Sequence, residues 1–247
     1  MSINKKNTFE QHDNEEGSFY KSSVNPFKGS GYLNNYLEVD VCIIGGGLTG
    51  VSSALNLAKK GFSVALCEAR TIGWGASGRN GGQLGIGMRK EQSLIEKKLG
   101  FEYAKELWLL GLEAVSETTK LISDYKIQCA LQKGVISAGY YKKNKEDFLF
   151  EIDHMQKYYN FSGYKYLDKD EINNEINTNL YHSGLLNNHS YHLNPLKLLI
   201  GLAGELLKLN VKIYENTPIT KILNDQNGVK VYSFEKTIKA EKVVVCC

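Results

Sequence analysis

Residues 39–83 read VDVCIIGGGLTGVSSALNLAKKGFSVALCEARTIGWGASGRNGGQ. An apolar run, Val41 to Ile44, enters the glycine turn Gly45-Gly46-Gly47-Leu48-Thr49-Gly50. Val51, Ala54, Leu55, Leu57 and Ala58 then recur at helical spacing, and Gly61 ends that segment. A second apolar run, Phe62 to Cys67, leads to Glu68. The order is strand, glycine turn, helix, strand, acid. Gly45 permits a tight turn out of the strand, Gly47 lets a pyrophosphate approach the backbone, and Gly50 lets the helix pack close to the strand. The first N–H groups of the helix, including those of Leu48 and Thr49, would face the phosphates together with the positive end of the helix dipole. Glu68 lies about 20 residues beyond the turn, where a carboxylate accepts hydrogen bonds from ribose hydroxyls. It would repel a 2′-phosphate, so FAD or NAD is favoured over NADP. A lone glycine turn is a weak signal, but this one has a strand before it, a helix after it and an acid at the right distance.

A second glycine-dense stretch follows, TIGWGASGRNGGQLGIG, from Thr71 to Gly87. Seven glycines at this density exclude a stable helix. They suit a loop lying against a flat or bulky ligand. Ser77 offers a hydroxyl and Arg79 a guanidinium to phosphate, and Asn80 and Gln83 offer amides to a heterocycle edge. A loop built this way argues against an NAD-dependent dehydrogenase.

The 247 residues suffice for one large domain or two small ones. A formal net charge of +3 gives no support to nucleic-acid binding. The five cysteines form no metal-ligand spacing, and Cys42 and Cys67 fall in expected buried strands, so reduced thiols are expected. No apolar run approaches the roughly 18 residues of a membrane span, and the polar N-terminus lacks the apolar core of a signal peptide. The expected location is cytoplasmic. His182, His189 and His192 lie close together without a fourth ligand at fixed spacing, so no metal site is expected.

Residues 1–17 are polar, and a disordered tail is expected. Residues 18–38 carry Phe19, Tyr20, Phe27, Tyr32 and Leu33 without a clear period and read as an extended arm on the domain surface. Residues 88–126 read as helical, with Gly100 and Gly111 as possible breaks. Ile127 to Leu131 and Val135 to Tyr140 suggest a hairpin around Gly134. Asn144 to Tyr159 is a charged amphipathic helix, Tyr164 to Leu167 a short strand, and Asp168 the N-cap of a helix reaching Ile176. Asn194-Pro195 opens a further helix, with Asn210 as its left-handed cap. Strands are expected at Val211 to Tyr214, at Pro218 to Leu223 paired with Val229 to Phe234 through the turn Asn224 to Gly228, and at Lys242 to Cys246. A buried parallel strand normally hands over to a covering helix. The stop at Cys247 therefore suggests a fragment lacking a C-terminal half.

Taken together, DVCIIGGGLTG, IGWGASGRNGGQ, His192-Leu193-Asn194-Pro195 and GLAGELLKLNVKIYENTPITKI resemble the FAD-dependent amine and amino-acid oxidoreductases of the D-amino-acid oxidase (DAO) and glycine oxidase type. Their branch acting on gamma-glutamylputrescine is the most similar. The resemblance covers the chain after its polar tail, and IGWGASGRNGGQ is its most specific part. It implies an α/β fold: a Rossmann-like FAD-binding domain of residues 39–95 and 185–247, with an inserted α+β substrate domain in 96–184, C-terminally incomplete. It implies FAD, with Gly45, Gly47, Leu48, Thr49 and Gly50 on the pyrophosphate and Glu68 and Ala69 on the adenosine ribose. Gly75, Ala76, Ser77, Arg79, Asn80, Gly81, Gly82 and Gln83 would run along the phosphates towards the flavin, and the Ile219 backbone would contact the adenine side. Family members move a hydride from an amine-bearing carbon to flavin N5. The imine then hydrolyses, and oxygen or another acceptor reoxidises the flavin. The implied partners are a small amine or amino acid and that acceptor. The resemblance names no catalytic side chain. Gamma-glutamylputrescine, N-methyl amines and D-amino acids all stay open as substrates, and a non-catalytic FAD-binding remnant is the alternative reading.

Overall fold

A computed structural model describes residues 18–225 and 228–247. The expected tail at 1–17 lies outside the described residues, as does the centre of the expected turn after Asn224. Helix α1 (Phe19–Ser22) opens the described chain, capped by the Ser18 side chain on the Lys21 N–H. Strand β1 (Tyr36–Ile44), helix α2 (Leu48–Lys59) and strand β2 (Val64–Cys67) follow. Next come the short strand β3 (Gln83–Leu84), helices α3 (Gln92–Leu99) and α4 (Phe101–Asp124), strand β4 (Gln132–Gly139), helix α5 (Asn144–Tyr159), strand β5 (Tyr164–Leu167), helix α6 (Lys169–Ile176) and strand β6 (Ser183–His192). The chain closes with helix α7 (Pro195–Lys208) and strands β7 (Lys212–Tyr214), β8 (Lys221–Asp225), β9 (Gly228–Ser233) and β10 (Lys236–Val245). No helix among the described residues is long and apolar enough to cross a membrane.

Among the described residues two compact units emerge, one of 18–80 and 195–247, the other of 81–194. These boundaries differ from the expected ones: residues 81–95 and 185–194 fall in the second unit. The physical reason is β6, a strand that the sequence pattern does not announce. It pairs antiparallel with β3, β4 and β5, and those ladders hold residues 83–84 and 183–192 in the second unit's sheet.

The first unit is built on a sheet in the order β7-β2-β1-β10-β9-β8. β7, β2, β1 and β10 run parallel, while β9 pairs antiparallel with β10 and β8 antiparallel with β9. Alternation in β1 and β2 serves two buried faces. Ile43, Leu66 and Ile213 are fully buried, and the intervening Cys42, Ala65, Cys67 and Tyr214 pack with Leu33, Val231, Ile238 and Ala240. Burial on both faces explains the near-continuous apolar runs. Cys42 and Cys67 are free and buried. Strand β1 begins at Tyr36, so the last residues of the expected arm belong to the sheet. The rest of the arm does lie on this unit: the Ser30 N–H donates to the Ile213 carbonyl, and the Ile213 N–H donates to Ser30 Oγ. Helix α7 ends as expected, with Asn210 at φ 62° and the Val211 N–H donating back to the Leu206 carbonyl.

In the second unit, Gly100 divides α3 from α4 but Gly111 divides nothing. A Cβ at Gly111 would stand 2.8 Å from the Gly87 nitrogen, so this glycine serves close packing rather than a break. The hairpin expected around Gly134 does not form. Residues 127–131 are not a strand, and Gly134 sits where the β4–β6 register shifts between Lys133 and Val135, which is the signature of a bulge. Asp168 caps α6 in a full capping box with Glu171.

Candidate functional site: a dinucleotide cradle

Parallel register places the site. Ile44 aligns with Cys67 and with Val245, and Cys67 with Tyr214. Four strands therefore end in line, and their carboxyl ends carry the glycine turn, Glu68, Glu215 and Cys246. Ligands in open α/β sheets bind beyond such ends.

The turn is closed by a Gly45 N–H bond to the Cys67 carbonyl at 2.8 Å. Gly45 has φ 110°, a left-handed value that disfavours side chains. A Cβ on Gly50 would collide with the Gly45 carbonyl oxygen, so the helix approaches the strand end as closely as expected. At Gly47, a Cβ would stand 2.8 Å from Ser77 Oγ. Ser77 Oγ also accepts the Leu48 N–H at 3.0 Å, so the second glycine loop reaches the start of α2. The N–H groups of Thr49 and Gly50 belong to the helix's first turn, which has no carbonyl of its own to bond. That is an anion cradle by construction.

Glu68 is half-buried. One carboxylate oxygen accepts the Gly46 N–H at 2.6 Å and the other the Arg70 N–H at 2.8 Å. Each oxygen has a second lone pair for a ribose hydroxyl. Ala69 is exposed beside it. The segment after β7 is tied to this end of the sheet: the Thr217 N–H donates to the Glu68 carbonyl and the Asn216 N–H to the Arg70 carbonyl. Ile219, half-buried, packs on the sheet core. Glu215 accepts the Ile72 N–H at 2.7 Å. Burial, and then repulsion from Glu68, raise its carboxyl above the usual range, against that N–H.

Gly75 and Ala76 are exposed at a single helical turn over Ala76–Gly78. The Arg79 Nε donates to the Trp74 carbonyl at 2.6 Å, and its guanidinium lies 4.8 Å from the Trp74 ring centroid. The Asn80 amide donates to the Ala76 and Ser77 carbonyls. Gly81, Gly82 and Gln83 belong to the second unit, where the Gly82 carbonyl accepts the Leu193 N–H and Gln83 pairs with His192. The structure thus brings Gly45 to Gly50, Glu68, Ser77 and the segment before Ile219 together at one sheet edge. Sequence reasoning missed Gly46, Arg70 and Glu215, whose parts are backbone ties between loops distant in sequence.

The cradle fits FAD: a glycine turn, free helix N–H groups and an acid at the end of the neighbouring strand form the donor and acceptor set of a dinucleotide site. Among the described residues no group of three or more His, Cys, Asp or Glu side chains could hold a metal ion.

Comparison with known proteins identifies the family. The gamma-glutamylputrescine oxidoreductase of Escherichia coli is 33% identical over 92% of this chain and 53% of its own length. The probable oxidoreductase OrdL of Haemophilus influenzae is 30% identical over 92% of this chain and 53% of its own. The chain therefore spans about half the length of the curated relatives it matches. A glycine oxidase structure from Geobacillus kaustophilus superposes with a TM-score of 0.69 at 23% identity, over 85% of this chain and 55% of that one, which shows a shared fold. The family described as FAD dependent oxidoreductase (DAO) matches residues 40–247, and its members use FAD. The chain belongs to that FAD-dependent oxidoreductase family.

Proposed function

We propose that the chain is the FAD-holding part of an oxidoreductase that oxidises the C–N bond of a small amine or amino acid. Gamma-glutamylputrescine or a close relative is the preferred substrate. The observation that carries the reading is the convergence of the Gly45 turn, the first turn of α2, Ser77 and Glu68 at aligned strand ends. The 33% identity to the gamma-glutamylputrescine enzyme supports the substrate choice. FAD, when bound, supplies a two-electron acceptor.

The chain's own residues bind and orient. The N–H groups of Thr49 and Gly50 receive the pyrophosphate, Glu68 receives the ribose hydroxyls, and the backbone near Ile219 borders the adenine. Ser77, Arg79 and Asn80 extend the phosphate contacts, and Gly81, Gly82 and Gln83 carry the same loop on towards the reacting ring. The oxidised amine leaves as an imine, which water hydrolyses, and oxygen or another acceptor takes the electrons. The assignment of the first unit to FAD and the second to the substrate belongs to this proposal, as does a cytoplasmic setting in amine catabolism.

The test is anaerobic addition of gamma-glutamylputrescine, sarcosine and D-alanine, each alone, to the FAD-loaded chain. Bleaching of the flavin by the first supports the full reading, and bleaching by one of the others moves the substrate class. The alternative reading is FAD binding without turnover. Retained flavin that no amine bleaches would establish that reading and overturn the first.

A further inference from the structure

Glu68 and Glu215 directly follow Cys67 and Tyr214, which are partners in the parallel ladder of β2 and β7. Two half-buried carboxylates therefore stand at neighbouring strand ends. Such a pair is unfavourable by itself, because each charge loses water and repels the other. Glu215 carries the strain: its carboxyl is raised first by burial and then by Glu68. Among the described residues no cation pairs with it, and its carboxylate accepts one hydrogen bond, from the Ile72 N–H. A carboxylate kept in so costly a place calls for a compensating role.

The two acids divide the backbone of one loop between them. Glu68 accepts the Arg70 N–H at 2.8 Å, and Glu215 accepts the Ile72 N–H at 2.7 Å. The loop then meets the glycine turn. The Gly73 N–H donates to the Gly46 carbonyl at 3.1 Å, and the Gly46 N–H donates to Glu68 at 2.6 Å. A Cβ on Gly46 would stand 2.6 Å from Ile72 Cδ1, so Ile72 packs directly on the turn. The position of this loop therefore sets the position of Gly46.

Other ties stop short of Ile72. The Asn216 N–H donates to the Arg70 carbonyl, two residues earlier. A cavity of 190 Å³ lies on one side of the loop, lined by Ile72, Gly73 and Trp74 and by Val24 and Phe27 of the arm, so packing there is incomplete. Between Arg70 and Gly73, Glu215 is the distant side chain that bonds the loop backbone among the described residues.

We propose that Glu215 is a positioning residue of the cradle: its carboxylate fixes Ile72 and Gly73 against Gly46 and so holds the glycine turn in the form that receives the pyrophosphate. The proposal rests on the FAD reading above and deepens it with a residue that acts through the backbone rather than by contact with the cofactor.

The experiment takes two readouts on the full chain. Hydrogen exchange, measured without FAD in peptides covering Gly45 to Gly47 and Arg70 to Trp74, reads the tie itself. Fluorescence titration with FAD, well below each variant's melting transition, reads its consequence. Glu215→Ala removes the acceptor, and Glu215→Asp keeps the charge but withdraws it by one methylene. Both should speed exchange in the two peptides and weaken FAD about tenfold. Glu215→Gln keeps an acceptor oxygen at the same reach and should stay within about threefold of the parent in FAD affinity, with exchange restored. Asp168→Ala, which loosens a helix of the second unit, should leave both readouts at parent values, so lost stability alone does not produce the effect. Parent-like exchange or parent-like FAD affinity in Glu215→Asp would overturn the proposal, and that variant is decisive even if Glu215→Ala fails to fold. A Glu215→Gln chain as impaired as Glu215→Asp would overturn it too. A parent chain that holds no FAD overturns the reading above instead, and the exchange comparison then decides by itself whether Glu215 holds the turn.

Discussion

Glu68 is held by two backbone N–H groups, Gly46 and Arg70, and so presents its carboxylate at the strand end in a fixed pose. Replacing it with Gln keeps the size but removes the charge and leaves one of these donors without its acceptor. Hydrogen bonds to a charged group contribute about 1.5–3 kcal/mol, so Glu68→Gln is expected to weaken FAD at least about tenfold in a fluorescence titration. Unchanged affinity would place the ribose elsewhere. Glu151 makes a prediction of opposite sign for stability. Burial chiefly, with Glu91 and Glu96 adding to it and His154 opposing, raises its carboxyl above the ordinary 4.5. The folded chain then binds that proton more tightly than the unfolded chain, so stability falls as pH rises from 4.5 through the folded value. Glu151→Gln removes this penalty. Its melting temperature should exceed the parent's at neutral pH by a few degrees, and the gain should vanish below the ordinary value. An equal difference at both pH values would show that the substitution acts through packing instead.

At the scale of elements, the capping box of α6 offers a clean test. Asp168 accepts the N–H groups of Asp170 and Glu171 at 2.9 Å, while Glu171 returns to the Asp168 N–H at 3.0 Å. Asp168→Ala should cost about 1 kcal/mol in urea unfolding, and Asp168→Asn much less. This helix is legible in sequence because its signals are local: an acid, then an acid three residues on, then one apolar stripe. The β1-turn-α2-β2 segment is legible because strand, turn, helix and strand each carry a local pattern, and Gly50 answers to the Gly45 carbonyl five residues before it. Strand β6 is not. Its sequence, SGLLNNHSYH, alternates poorly because it is the centre of a sheet whose partners β3, β4 and β5 differ in length along it. Its burial changes from buried at Ser183 to Leu185 to exposed at Asn188 and His189. No window of a single strand records that change. The Gly134 bulge reads as a turn in sequence because the two demand the same left-handed glycine, φ 99° here.

For the whole molecule, the first unit carries the cradle. Its parts come from both ends of the chain: α2 and Glu68 from the early residues, the Glu215 to Ile219 segment from the late ones, joined by β7 and β10 in one sheet. This discontinuity is readable as a return of helix, strand, hairpin and strand after residue 195. The ties that make one edge of it, Thr217 to Glu68 and Glu215 to Ile72, join residues far apart in sequence and leave no spacing to read. The cradle lies within this unit, so cofactor binding is the property that most directly tests the account. The decisive measurement is the visible absorption spectrum of the purified chain after incubation with FAD and gel filtration. The account predicts a flavin spectrum that travels with the protein and is lost in Glu68→Gln or when Gly50 is replaced. A chain that folds, as judged by a cooperative thermal transition, yet emerges colourless would contradict it.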